Sequence, residues 1–259
     1  MNSNAGERTT LPGYVLSTVT VVVILIAWEA AARAKLVPEL FLPSVTSVLI
    51  ALRDEISDLS LPNDLGISLY RTFSGLLLAS IIGVAAGIAM ARSAMVRWFL
   101  DPFIGLAFPA PKIAFLPIFV LWFGIDHMSK ILLVAFSSVF PIVIATYSAA
   151  ISVNRLLIWS SLSLGSSRPM IMWRVILPAC YPRIFAAFRV AVPVALITAF
   201  TAEMVAGGGG MGATLMYAQR FFESATVFAY IVSMLAVGLL FDKAMLAIRD
   251  RFASWRESD

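Results

Sequence analysis

Residues 72–91, TFSGLLLASIIGVAAGIAMA, contain no charged side chain. About 20 residues of helix cross a hydrocarbon core, so this run is long enough to span a bilayer. Residues 131–153 and 224–241 are likewise free of charge. Residues 13–34 form a fourth candidate, with Glu29 and Arg33 near its end. Residues 183–206 form a fifth, with Arg189 near the start and Glu203 near the finish. Residues 100–123 form a sixth, broken by Pro102, Pro109, Pro111 and Pro117. The whole chain of 259 residues is 60% hydrophobic and 13% charged, with a mean hydropathy of +0.92. A soluble domain is about a quarter charged. Too few polar side chains exist here to cover a water-facing surface, so lipid covers part of it. Lipid cannot satisfy backbone N–H and C=O groups, which leaves helical bundles or closed barrels. Barrel strands alternate in polarity over about 10 residues. The long unbroken apolar runs therefore predict an all-α membrane protein with six transmembrane helices.

The basic residues set the orientation. With six spans both termini share a side. That side collects Arg8, Arg92, Arg97, Arg155, Arg168, Arg174, Arg183, Lys243, Arg249, Arg251 and Arg256. The other side holds Lys35, Arg53, Lys130 and Arg220, with Arg71 near the membrane edge, and collects Glu39, Asp54, Glu55, Asp58, Asp64 and Asp126. The positive-inside rule places both termini in the cytoplasm. Topology and anionic lipid account for the basic pI, and no nucleic-acid partner is expected. The first span is longer than a signal peptide's apolar region of about 7–15 residues, so it is expected to be retained.

The expected organisation is a cytoplasmic N-terminus over 1–12, a first span over 13–34 and an external segment over 35–65. A core with five spans follows over 66–248, and a cytoplasmic C-terminus over 249–259. In the external segment Ser44 can cap a short helix through Val45, Val48, Leu49 and Leu52, lying on the membrane surface.

Several chemistries are excluded. One cysteine, Cys180, allows neither an internal disulfide nor a cysteine metal site. One histidine, His127, rules out a paired-histidine zinc centre and leaves no Ser–His pair for proteolysis. None of Lys35, Lys112, Lys130 and Lys243 follows a glycine, so there is no phosphate-binding P-loop. Gly207, Gly209 and Gly212 match a dinucleotide spacing, but they follow a membrane span instead of a strand. They are expected to form a flexible turn with positive φ and close packing. No cofactor, metal or covalent chemistry is expected, and any ATP is hydrolysed on a separate subunit.

The longest cytoplasmic connection, 154–182, reads NRLLIWSSLSLGSSRPMIMWRVILPACYP. Gly165 suits a helix C-terminus that needs a left-handed residue. Ser166 or Ser167 then caps a second helix with Pro169 in its first turn. Leu177-Pro178 is expected to end or bend that helix. The residues alone leave two uses open, docking to a protein or resting on lipid.

The segment resembles the cytoplasmic Glu-Ala-Ala loop of binding-protein-dependent ABC permeases. Gly165, Val175, Leu177 and Pro178 fall at the family's spacing, whereas Trp159, Ser160 and Ser161 replace Glu-Ala-Ala. Residues 109–131, Leu42-Pro43-Ser44, and Ala202-Glu203-Met204 followed by glycines are similar to the nitrate/sulfonate/taurine branch. The resemblance implies a type I importer permease fold in the inner membrane. It also implies a second permease copy, two cytoplasmic ATPase subunits and an external solute-binding protein. Contact with the ATPase is carried onto Trp159, Ser160, Ser161, Leu162, Gly165, Ser166, Ser167 and Arg168. The glycine run would open an outer re-entrant turn near the solute path.

Two charges near or within spans have two readings each. Glu203 either lines the solute path or caps an outer turn. Lys112 either lines the path or reaches to the inner interface. Lys112 suits an anionic solute such as a sulfonate, taurine or nitrate. The rival reading is a secondary transporter or channel driven by an ion gradient. Such proteins carry internal repeats and intramembrane ionisable groups in both halves, and no such repeat is evident here.

Overall fold

A computed structural model describes residues 13–253. The expected N-terminal segment 1–12 and residues 254–259 of the expected C-terminal segment 249–259 lie outside the described residues, and so do Arg8 and Arg256. Among the described residues every regular element is helical. α1 spans Gly13–Arg33, α2 Val45–Ser57, α3 Ser60–Arg92 and α4 Ala94–Ala107. A 3-10 turn, Lys112–Phe115, leads into α5, Leu116–Phe123, and then α6, His127–Ile151. α7 covers Arg155–Ser163 and α8 Arg168–Ile171. A wide-turn segment, Met172–Ile176, joins α8 to α9, Leu177–Ala206. α10 spans Met211–Arg220 and α11 Ser224–Ala253.

Five of these helices are long and apolar enough to cross a membrane, or six if the bent α4–α5 pair is one span. The direction of packing settles how that pair is used. A Cβ on Gly75 would lie 2.6 Å from Val134, one on Gly83 2.8 Å from Ile142, and one on Gly87 2.7 Å from Thr146. Both helices advance together along these contacts, so α3 and α6 run parallel. The chain between them must therefore return across the bundle, and α4 and α5 make that return with a bend of 99°. Pro109 and Pro111 lack the amide hydrogen that would carry the helical ladder through the bend.

At the α3–α6 seam glycines of α3 face Val134, Ile142 and Thr146, and the missing side chains let the two helices approach closely where lipid offers no hydrophobic drive between them. α9 packs antiparallel on α6 through Ala187, Ala191, Ala195, Ala199 and Ala202, spaced three or four residues apart and all buried. Leu76, Val134, Ile142 and Leu196 fill the space between these three helices. α1 stays peripheral. Trp28 Nε1 donates to the Pro43 carbonyl at 2.9 Å, and Glu29 pairs with Arg33 at 2.7 Å.

Two sequence expectations change in detail. The run 72–91 is the second half of a helix that starts at Ser60. The earlier turns are polar, yet Asp64, Ser68 and Arg71 are buried there. Residues 168–206 form one continuous helical span, whereas the sequence predicts an end or a bend at Leu177-Pro178. The Leu177 amide bonds back to Met172, and this wider register passes the chain through where Pro178 can donate nothing. α2 does form from Val45, capped by Ser44, whose hydroxyl accepts from the Ser47 amide.

The glycine seam gives a first prediction. Gly75→Ala would lose about 1–3 kcal/mol through overpacking and lower the thermal midpoint of the purified protein. A Cβ at Gly66, on the same helix, meets nothing within 4 Å, so Gly66→Ala serves as the control. Equal midpoints for the two variants would refute close approach at this seam.

Candidate functional site

Three polar or exposed features stand out, at one end of the bundle, at the other, and between them.

The first is the α7–α8 connection. Asn154 caps α7 by accepting from the Leu156 amide at 2.9 Å. α7 ends in a left-handed turn at Gly165, with φ of 78°. The Ser166 amide bonds to Ser161 O at 3.0 Å and the Gly165 amide to Leu162 O at 2.9 Å. This paired bonding satisfies the last carbonyls of the helix, as a left-handed glycine allows. Ser167 precedes α8 in extended conformation but its side chain makes no capping hydrogen bond, and Pro169 lies in the helix's first turn. Ser160 and Ser161 fold back onto the Leu156 and Leu157 carbonyls. Leu156, Leu157, Trp159, Leu162, Leu164 and Trp173 are all exposed. Arg168 is exposed and Ser166 half-buried, while Val175 and Leu177 are half-buried and Pro178 exposed. The connection thus offers a firmly shaped helix-turn-helix whose outer side is apolar.

The second feature lies at the opposite end, where the starts of α3 and α6 meet the end of α9. Arg71 and Glu203 form a salt bridge of 2.9 Å, with side-chain exposures of 1% and 0%. Burying such a pair is tolerable only when the remaining hydrogen-bonding positions are filled. Here they are. The Arg71 guanidinium also donates to the Gly208 and Gly209 carbonyls at 2.6 Å each, and to His127 Nδ1 at 3.2 Å. The Glu203 carboxylate accepts from Ser68 Oγ at 2.8 Å and from the Gly212 amide at 3.1 Å. Ser68 Oγ accepts in turn from the Met211 amide at 2.9 Å. Asp64 accepts from the Gly210 amide at 3.3 Å, Thr214 Oγ1 at 2.5 Å and the Tyr230 hydroxyl at 2.9 Å. Lys130, also fully buried, donates to the carbonyls of Ile125 and Asp126.

This network encloses the glycine run. Gly207, Gly208, Gly209 and Gly210 have φ of 68°, 78°, 77° and 96°. A Cβ on Gly210 would lie 2.5 Å from Glu203 Oε1, and one on Gly208 2.7 Å from the Ile125 carbonyl. The run is therefore a tightly bonded turn, and the expected flexibility is not what the structure has. Glu203 is wholly enclosed in this chain, in the geometry of a residue that holds a turn. Arg71, Asp64, Ser68 and Lys130 were not singled out by sequence. The available signal was the spacing of Asp64, Ser68, Arg71 and Gly75, which places them on one face of a helix continuous with an uncharged span. At the rim of this network, burial and the nearby Asp64 carboxylate raise the Glu55 carboxyl above its ordinary value.

The third feature lies midway. A cavity of about 430 Å³ opens between the α4–α5 bend, α6 and α9, and Lys112 is the one charged residue lining it. The Lys112 ammonium turns back to the Phe108 carbonyl, and lies 5.4 Å and 5.7 Å from the ring centres of Phe108 and Phe140.

The second and fourth spans thus run parallel around a bent third. Solved structures share this fold. An inward-facing form of the MetNI methionine ABC transporter matches with a TM-score of 0.65 at 16% identity, covering 76% of this chain and 96% of that one. Residues 79–254 match the family described as binding-protein-dependent transport system inner membrane component. The chain belongs to that family and is a permease subunit of an ABC importer. It is 35% identical over 245 residues to the taurine transport system permease protein TauC of Escherichia coli K12, covering 93% of this chain and 89% of that one. It is 30% identical over 236 residues to SsuC of Bacillus subtilis 168, named for aliphatic sulfonates transport, covering 91% and 86%. The ion-gradient alternative finds no support among these relatives.

The buried pair yields a second prediction. Glu203→Gln strands the Arg71 charge, and Arg71→Met strands the carboxylate. Breaking a buried pair from one side costs about 3–5 kcal/mol. Both single variants should unfold at lower temperature than wild type, and the double variant Arg71→Met/Glu203→Gln should be more stable than the sum of the two losses. Strict additivity would show that the pair is not coupled.

Proposed function

We propose that this permease imports a small anionic solute of the sulfonate, taurine or nitrate class, handed over by an external binding protein. Two permease copies form the pathway, and two copies of a cytoplasmic ATPase drive it. Both termini face the cytoplasm of a cell with this permease in its inner membrane. The observation that carries the coupling half of this reading is the α7–α8 connection. Its exposed Trp159, Leu162 and Leu164 surround a rigid glycine turn, and a rigid element that seats in a partner can transmit that partner's motion. The region from Trp159 to Arg168 enters a cleft of the ATPase, with Val175, Leu177 and Pro178 leading its motion into α9. The binding protein docks at the opposite end, on residues 35–65, 124–130 and 207–223. The anionic solute class rests on the taurine and sulfonate relatives and on the lone cation of the midway cavity.

Reconstitution with the ATPase subunit and the binding protein tests the coupling. Gly165→Val forces a β-branched residue into a left-handed conformation, at about 1–2 kcal/mol or more. Stimulation of ATP hydrolysis by the loaded binding protein should fall about tenfold, by disruption of the docking turn. Unchanged stimulation in Gly165→Val and in Trp159→Ala would remove the loop from the coupling role. Uptake should also stop on ATP depletion and persist with uncouplers.

A further inference from the structure

Where α2 meets α3 and α11, two carboxyl groups close on one phenol. Tyr230 is wholly buried. Its hydroxyl oxygen lies 2.9 Å from Asp64 Oδ2 and 3.3 Å from Glu55 Oε2. Thr214 Oγ1 lies 2.5 Å from the same Asp64 oxygen. Each of these oxygen–oxygen contacts needs one proton between its partners. The Tyr230 and Thr214 hydroxyls supply two, and there are three contacts to fill. With both carboxyls ionised, one contact therefore sets lone pair against lone pair. Asp64 has no place for a further proton, because it accepts from the Gly210 amide, Thr214 and Tyr230. Among the described residues Glu55 has no side-chain donor but Tyr230, and the Tyr230 oxygen lies nearer Asp64. Apolar packing holds the groups together, since Leu52 of α2 and Leu61 of α3 lie against Met211, Leu215 and Tyr230.

We infer that Glu55 carries the missing proton and that this proton latches α2 onto α3 and α11. The Glu55 carboxyl donates to the Tyr230 oxygen, Tyr230 donates to Asp64, and every contact of the chain is filled. The proton is taken from water, since Glu55 is only half-buried. Its loss leaves the Glu55 charge facing Asp64 of α3, Asp58 at the end of α2 and Glu223 just before α11. Arg53 is turned to solvent with Asp54. Glu29 and Arg33 of α1 pair with each other at the other end of α2, beside Thr46. Burial first, and then the like charges of Asp64, Asp58 and Glu223, raise the Glu55 carboxyl above its ordinary value, with Tyr230 opposing them in part. The latch is therefore complete below the ordinary value. It is lost as pH rises through the raised one, by at most about tenfold per pH unit. α2 belongs to the face proposed above for the binding protein, so acid outside the cell firms that face. This consequence rests on the docking and orientation readings, whereas the latch does not.

The test is hydrogen exchange of the α2 amides in the complete complex, taken relative to the α6 amides of the same sample. From about pH 4 to about pH 8, wild-type α2 should lose protection about tenfold or more, the linkage of one proton to a raised carboxyl. Glu55→Gln keeps an N–H on the Tyr230 oxygen at every pH and should hold its protection within about twofold. Tyr230→Phe removes the shared oxygen and should also lose the pH step. Infrared spectra at about pH 5, where ordinary carboxyls are mostly ionised, should show a protonated carboxyl band that Glu55→Gln lacks. Wild-type protection that stays flat across this range overturns the latch without any variant, and so does an equal step in Glu55→Gln. Binding-protein affinities of wild type and Glu55→Gln that agree at every pH, with the exchange step present, overturn the docking consequence alone.

Discussion

A guanidinium and a carboxylate that meet at 2.9 Å, both closed off from water, impose more order on this chain than any other contact. Neither charge tolerates a vacant hydrogen-bonding position at that depth, because the dielectric that strengthens the pair also penalises every unmet proton or lone pair. Arg71 therefore requires the Gly208 and Gly209 carbonyls, and Glu203 requires Ser68 and the Gly212 amide. Those carbonyls can be presented only by a turn with successive positive φ values and no side chains in the way, which is why glycine occupies 207 to 210. The same pair explains the length of α3. Its polar first turns stay helical and buried because Asp64, Ser68 and Arg71 all find partners there.

Below the network the three central helices are joined by small residues. Glycines on α3 admit Val134, Ile142 and Thr146 of α6, and alanines on α9 close the other side. Such seams favour rigid units, because close-packed backbones have few alternative arrangements. The bundle ends differ in kind. One is fastened by charge pairs and turn carbonyls. The other presents Trp159, Leu162 and Leu164 without covering them. The bundle is thus tied internally at one end, while the other leaves its apolar side chains uncovered.

Much of the helical layout was legible because lipid punishes charge. An uncharged run such as 131–153 has few options besides a span, and the helix found there, His127–Ile151, differs only at its ends. Gly165 was legible for a local reason: a helix that stops without a side-chain cap needs a left-handed residue. Arg71 and Lys130 were read as outside charges because a lone charge at the edge of an apolar run has that meaning on average. Nothing within a few residues of Arg71 reveals that its carboxylate waits 132 positions away. Pro178 marks the neighbourhood of an irregularity without fixing its form. The penalty for proline in a helix is local, but a wider turn just before it absorbs the missing donor.

Composition and the order of apolar runs, taken alone, determined that this chain is a six-span helical bundle, and Gly165 with the serines after it determined where one helix of the 154–182 connection stops and the next begins. Those properties follow from periodicity and from the cost of exposing backbone or charge to lipid, which act over tens of residues at most. The tertiary structure decided which charges are paired, which glycines are locked, and that Lys112 lines a cavity walled by α6 and α9. These are meetings between residues far apart in the chain, fixed only when α3, α6 and α9 pack through their small-residue faces.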